Sequence, residues 1–134
     1  MLERDYIKRL IRQFFDAIEK LKEDKKEADF PTLQLQVNSM YRAYFQQSPS
    51  FFYTQQAEAD ISYLASTFPP EELSERADML AELFYQDALL KQDDERKELL
   101  RKSLSLLTYV DKHSDTFSFE RRAKMVNLQV LISK

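Results

Sequence analysis

Glycine is missing from all 134 residues of this chain. Average usage near 7% would place about nine there. Glycine is the residue that takes positive φ without strain and lets a backbone approach a ligand closely. Its absence excludes a Walker loop, a dinucleotide-binding GxGxxG turn, a nucleophile elbow and the Gly-dependent turns of tight hairpins. Every break in the chain must be made by proline, capping acids or polar residues, and helix ends must close without the usual glycine at C′. The feature points to helices joined by polar connections.

Composition adds further exclusions. Cysteine and tryptophan are absent and His113 is the single histidine, so disulfides, thiolate catalysis and Cys-based zinc sites have no residues to use. With 43% hydrophobic and 32% charged residues, the chain has enough apolar side chain for one real core inside a well-solvated surface. A net charge of −3 lacks the basic excess of a general nucleic-acid binder. The opening Met1-Leu2-Glu3-Arg4-Asp5 has acids where a secretory signal needs an apolar core, and no apolar run approaches membrane-spanning length. The expectation is a cytoplasmic, soluble protein bound to neither nucleic acid nor membrane.

Apolar residues recur at helical spacing almost throughout. Tyr6, Ile7, Leu10, Ile11, Phe14, Ile18 and Leu21 stripe a first helix over about residues 3 to 23, followed by a charged connection at 22 to 27. Pro31 opens a second helix carrying Leu33, Val37, Met40, Tyr41 and Tyr44. Ser48-Pro49 starts a third, with Phe52, Ala57, Ile61, Leu64 and Ala65, and Pro69-Pro70 breaks it. A fourth, over about 70 to 91, has Leu73, Ala77, Leu80, Ala81, Phe84 and Ala88 on its main stripe and Leu83, Tyr85, Leu89 and Leu90 beside it. A helix apolar on more than one side needs more than one neighbour. Asp93-Asp94 caps a fifth helix bearing Leu100, Leu104, Leu107 and Val110, and a loop at Lys112 to Ser118 leads to a last one with Phe119, Ala123, Val126 and Val130. No segment alternates with period two. The predicted fold is a single all-α domain, 1–134, of five or six antiparallel helices without a sheet: N-terminal helices over 1–68, then a hairpin plus last helix over 69–134.

Two segments resemble a known family. Asp5-Tyr6-Ile7-Lys8-Arg9-Leu10-Ile11-Arg12 and the stretch from Ser118-Phe119-Glu120-Arg121 onward are similar to the two ends of a family of short bacterial proteins described only as a domain of unknown function. That likeness implies no activity. Residues 70 to 134 also resemble a degenerate tetratricopeptide unit, with Ala77-Asp78-Met79 and Ala123-Lys124-Met125 spaced more widely than its repeat of about 34 residues. Phe84 stands where such a unit wants a small residue.

Four groups of residues are candidates for chemistry or binding. Glu72-x-x-Glu75 and Glu95-x-x-Glu98 resemble the ExxE…ExxD magnesium cluster of all-α nucleotide pyrophosphohydrolases, with Glu98 in place of aspartate. That resemblance implies a Mg²⁺-dependent hydrolase. Against it, both pairs fall in first turns of helices expected to run antiparallel, which puts them roughly 30 Å apart. Between residues 41 and 53 the chain gathers Tyr41, Tyr44, Phe45, Phe51, Phe52 and Tyr53, which either fill the core between helices two and three or form a partner or dimer surface. His113 suits a helix C-terminus. Arg4, Lys8, Arg9 and Arg12 give the first helix a basic face diluted by neighbouring acids, which reads as a solvated surface. The function expected is a non-enzymatic protein-interaction module without cofactor or metal, possible as a homo-oligomer. A magnesium hydrolase and a structural subunit of a larger assembly are the alternatives.

Overall fold

The computed structural model describes residues 2–134, with side chains from Asp5 onward. Among the described residues there are seven α-helices and no strand: α1 (Leu2–Asp24), α2 (Phe30–Phe45), α3 (Pro49–Tyr53), α4 (Ala57–Thr67), α5 (Leu73–Ala88), α6 (Asp93–His113) and α7 (Phe119–Ser133). A single 3₁₀ turn, Pro70–Glu72, leads into α5.

The count exceeds the expected five or six because the third predicted helix is divided. Thr54 donates its hydroxyl back to the carbonyls of Ser50 (3.1 Å) and Phe51 (3.4 Å), a local bond that competes with helix continuation. Gln56 then turns extended and begins α4. The fourth predicted helix is likewise shortened, to Leu73–Ala88. The cap of α6 falls on Gln92 instead of the Asp93-Asp94 pair, and Asp93 itself takes φ 53°.

The absence of glycine is felt at these ends. Asp29 caps α2 by accepting from the Thr32 N–H at 2.9 Å, and Ser118 caps α7 by accepting from the Arg121 N–H at 3.1 Å. At the end of α2, Gln46 occupies the left-handed position ordinarily given to glycine, with φ 64° and ψ 21°, and its N–H reaches the Arg42 carbonyl at 3.1 Å. At the end of α5 an arginine replaces the glycine device. Arg96 donates to the carbonyls of Ala88 (3.1 Å), Leu89 (3.2 Å) and Lys91 (3.0 Å), groups that a helix terminus leaves without partners.

α5 is the centre of the domain. It packs on α6 most extensively, and also on α1, α2 and α4. Ala77, Met79, Leu80, Ala81, Leu83, Phe84 and Ala88 are all buried, so the two-sided apolar pattern read in its sequence finds the several neighbours it requires. α5 and α6 form an antiparallel hairpin joined by four residues, and the Ser103 hydroxyl donates to the Ala81 carbonyl at 2.7 Å where two small residues let the helices close up. α7 packs against α6.

Gln46→Gly should raise the stability of the domain by about 0.5–1 kcal/mol, because glycine takes the left-handed conformation without the Cβ clash. A urea midpoint that fell or stayed fixed would show that Gln46 is not strained.

Candidate functional site

The aromatic residues that admitted both a core and a partner-surface reading are largely interior. Tyr41, Phe45 and Phe52 are fully buried, Tyr44 and Phe51 are half-buried, and of the six only Tyr53 is exposed. The Tyr41 and Phe52 rings stack at 5.5 Å, and Phe52 meets Phe84 of α5 edge-on at 6.2 Å. Placed at the end of α2 and on the short α3, both facing α5, all but Tyr53 belong to the core, the first of the two readings and not the partner surface.

Beneath Tyr53 lies a carboxylate that the pattern of charges did not reveal. Asp87, in the last turn of α5, is fully buried and accepts from the Tyr41 hydroxyl (2.8 Å), the Tyr53 hydroxyl (2.6 Å), the Gln34 amide (3.1 Å) and the Lys91 ammonium (3.1 Å). Lys91 also donates to the Gln34 side-chain carbonyl at 2.7 Å. Burial and the adjacent Asp87 charge push both phenols well above the usual tyrosine range, so they stay protonated and donate. A second buried pair lies nearby: the Lys102 ammonium is 3.0 Å from Asp60, donates to the Phe52 carbonyl and sits 4.7 Å over the Phe84 ring. Burial pushes the Asp60 carboxyl up, with Lys102 opposing it. Each of these charges occupies an apolar register position of its helix, Asp87 after Leu80 and Phe84 and Lys102 between Leu99 and Leu106. A charge in a core register is the signal from which both pairs were readable.

A cavity of about 360 Å³ opens beside these pairs, walled by Tyr53, Lys91, Asp94, Glu95, Glu98 and Lys102 with Leu99 at its floor. Its two lysines and its tyrosine are already bonded to buried acceptors, so they hold the wall in position.

The four acids of the hydrolase motif do not converge. Glu72 is buried and accepts two bonds from Arg76, at 3.1 and 3.0 Å, while Arg76 also donates to the Tyr44 carbonyl and lies 3.9 Å over the Phe68 ring. Glu95 and Glu98 are exposed near the far end of the hairpin. Since Ser103 lies opposite Ala81, Glu98 lies opposite about residue 86, which separates it from Glu75 by roughly 17 Å along the helix axis. No Mg²⁺ bound at about 2.1 Å can bridge that gap. Among the described residues no group of three or more histidine, cysteine or acidic side chains is placed to hold a metal ion. His113 is exposed in the last turn of α6, donating from Nδ1 to the Tyr109 carbonyl at 2.9 Å with its ring stacked on Tyr109. Lys8, Arg9 and Arg12 are exposed on α1, and the side chain of Arg4 lies outside those described.

On the other side of α5, two adjoining cavities of about 170 and 200 Å³ share Asp78, Leu107 and Lys124 in their walls. Burial pushes the Asp78 carboxyl up to about 6, against the pull of Arg121 and Lys124 and with help from Glu75 and Glu120.

The remaining unsatisfied surface is on α7. Its inner face turns Arg121, Met125, Leu128, Leu131 and Ile132 toward the core. Its outer face carries the stripe that the sequence offered as this helix's apolar side, Phe119, Ala123, Val126 and Val130, and all four are exposed. Phe119 is 83% exposed, Val126 60% and Val130 51%, and Phe117 beside them is 60% exposed. Phe117 meets Phe119 edge-on at 4.7 Å, with the Arg122 guanidinium 5.1 Å from its ring. No described helix is long and apolar enough to cross a membrane. No protein-family model, curated protein or solved structure matches the chain. The α7 face is the candidate site because its exposed apolar residues share one helix face, whereas Tyr6 on α1 and Phe30 and Leu35, five positions apart on α2, are exposed singly.

Two outcomes follow from the buried acids. Asp87→Ala removes the acceptor of Tyr41, Tyr53 and Lys91 and should lower unfolding free energy by about 3–5 kcal/mol, read as a fall in the urea midpoint; a loss under 1 kcal/mol would mean the network re-pairs without it. For Asp78, burial lifts the folded carboxyl from the usual 3.8 to about 6, so the native state binds more protons between those values. Stability should therefore be highest below that window and fall as pH rises through 6. Asp78→Asn should flatten this slope and raise the melting temperature at pH 7 by about 3 °C, and an unchanged slope in calorimetry would contradict it.

Proposed function

We propose that this chain is a non-catalytic protein-interaction module that binds protein through the outer face of α7. The observation that supports it is the exposure of Phe119, Val126 and Val130 on one stripe, beside Phe117, in a domain whose other long helices turn their main apolar stripes inward. Two-sided helices mark places where a further layer is missing. Aromatic residues are also enriched at interface cores. In the same reading, α5, α6 and α7 form a tetratricopeptide-like stack whose last helix carries the open stacking face. Kinship with the short bacterial family similar at the two ends, and a cytoplasmic setting, belong to the same proposal. A role as a structural subunit is one form of it, in which the partner is permanent.

Incorporating the photoreactive residue p-benzoylphenylalanine at Phe119 or Val126, in cells that make the chain, should give covalent adducts whose partner is identified by mass spectrometry. The same residue at Arg9, exposed on α1, should give none. Equal or absent adducts at all three positions would sink the reading.

A further inference from the structure

The stripe on α7 has a symmetry that selects its occupant. Phe119, Ala123, Val126 and Val130 are spaced four, three and four residues apart, the spacing of a coiled-coil seam. Reversing the direction of the helix reproduces the same spacing. If two such helices meet antiparallel about a twofold axis, Phe119 of one lies against Val130 of the other and Ala123 lies against Val126. Each layer then pairs a larger side chain with a smaller one. A parallel arrangement instead sets Phe119 against Phe119 at one end and Ala123 against Ala123 in the middle, crowding one layer and emptying the next.

The charges beside the stripe are compatible with the antiparallel pairing that the layers select. One flank of α7 carries Arg122 and Gln129, and the other carries Glu120 and Asn127. Under a perpendicular twofold axis each flank faces its own copy, so Arg122 meets Gln129 and Glu120 meets Asn127. No two like charges are opposed on either side. Arg121 and Arg122 both pair with Asp111 of their own chain, Arg122 at 2.8 Å, and Lys124 pairs with Glu82 and Glu120, so the flanking charges are already neutralised within each copy.

We propose that the occupant of this face is a second copy of the chain, joined by antiparallel pairing of the two α7 helices. This rests on the reading of α7 as a protein interface and names its partner. At roughly 200 Å² for a phenylalanine, Phe117 and Phe119 alone expose about 290 Å² of side chain per copy. With the valines and flanks added, the two copies bury about 1,000 Å² in all, the lower limit for a specific interface. An interface at that lower limit marks a weak, reversible dimer.

Sedimentation of the purified chain across a dilution series should show dimer at about 100 µM and monomer below about 1 µM. Phe119→Asp and Val126→Asp should weaken the association at least tenfold with an unchanged circular dichroism spectrum, since both side chains are exposed in the monomer. Register is tested by cysteine pairing, which the chain's lack of native cysteine makes specific. Helix axes about 8 Å apart bring facing Cα atoms to about 4–6 Å, within reach of a disulfide. Mixing the Ala123→Cys and Val126→Cys chains should give a disulfide-linked dimer on mild oxidation, in preference to either chain alone. Preferential linkage of Ala123→Cys to itself would overturn the antiparallel register. A monomer at every concentration would overturn the second copy altogether, and photo-adducts at Phe119 with a different protein would show that the interface reading survives that failure. Absence of both would end the two together.

Discussion

The burial of α5 around most of its circumference is the constraint on which the rest of the domain depends. A helix with Leu80, Phe84 and Ala88 on one side and Met79 and Leu83 on another cannot be satisfied by one neighbour. α6 covers one side as the other arm of a hairpin, while α1, α2 and α4 close around the remainder. The short α3 is fixed in the same way: Phe52 is drawn in against Phe84, and the chain bends at Thr54 so that α4 can return to the same core. Large apolar area removed from water drives this arrangement, at about 25 cal/mol per Å².

Apolar burial is not directional, and the register of the helices around α5 needs interactions that are. Asp87 ties α5 to α2 and α3 through Tyr41, Gln34 and Tyr53, and Lys102 ties α6 to α4 and α3 through Asp60 and the Phe52 carbonyl. Arg76 joins the start of α5 to the end of α2 at the Tyr44 carbonyl. Each buried charge meets several partners, which offsets the desolvation that burial imposes. These clusters resemble catalytic constellations in composition. They differ in that their polar atoms face one another and leave little capacity for a substrate.

Helix class and the approximate bounds of α1, α2, α6 and α7 were legible from periodicity, proline placement and capping residues. The division into α3 and α4 was not, because Thr54 ends a helix by a hydroxyl bond that many mid-helix threonines also make without ending one. Asp87, Asp60 and Lys102 were missed because acids and lysines in a chain this charged read as surface, although their core register was visible. The acid pairs at Glu72, Glu75, Glu95 and Glu98 were separable on helix length alone, and the hairpin keeps them apart for that reason. The six aromatics from Tyr41 to Tyr53 admitted both a core and a surface reading, since spacing along the end of α2 and the short α3 does not say which way α3 turns.

The last helix draws the line between the two levels. Its sequence has apolar residues on both sides, Phe119, Ala123, Val126 and Val130 on one and Met125, Leu128 and Leu131 on the other, and that fact alone means two neighbours. Which side meets α6 depends on the tertiary fit, where Leu128 enters the core and Arg121 reaches Asp111 at 3.5 Å. The absence of glycine determined in the same local way that helix ends would need substitutes. Only the folded chain assigned them, to Gln46 in a left-handed turn and to Arg96 reaching back across a loop, because one cap is a bond within a single turn and the other spans the connection between two helices. Sequence sets which surfaces need covering. The geometry of packing decides which of them the chain covers by itself, because two faces of one helix cannot both meet the same neighbour.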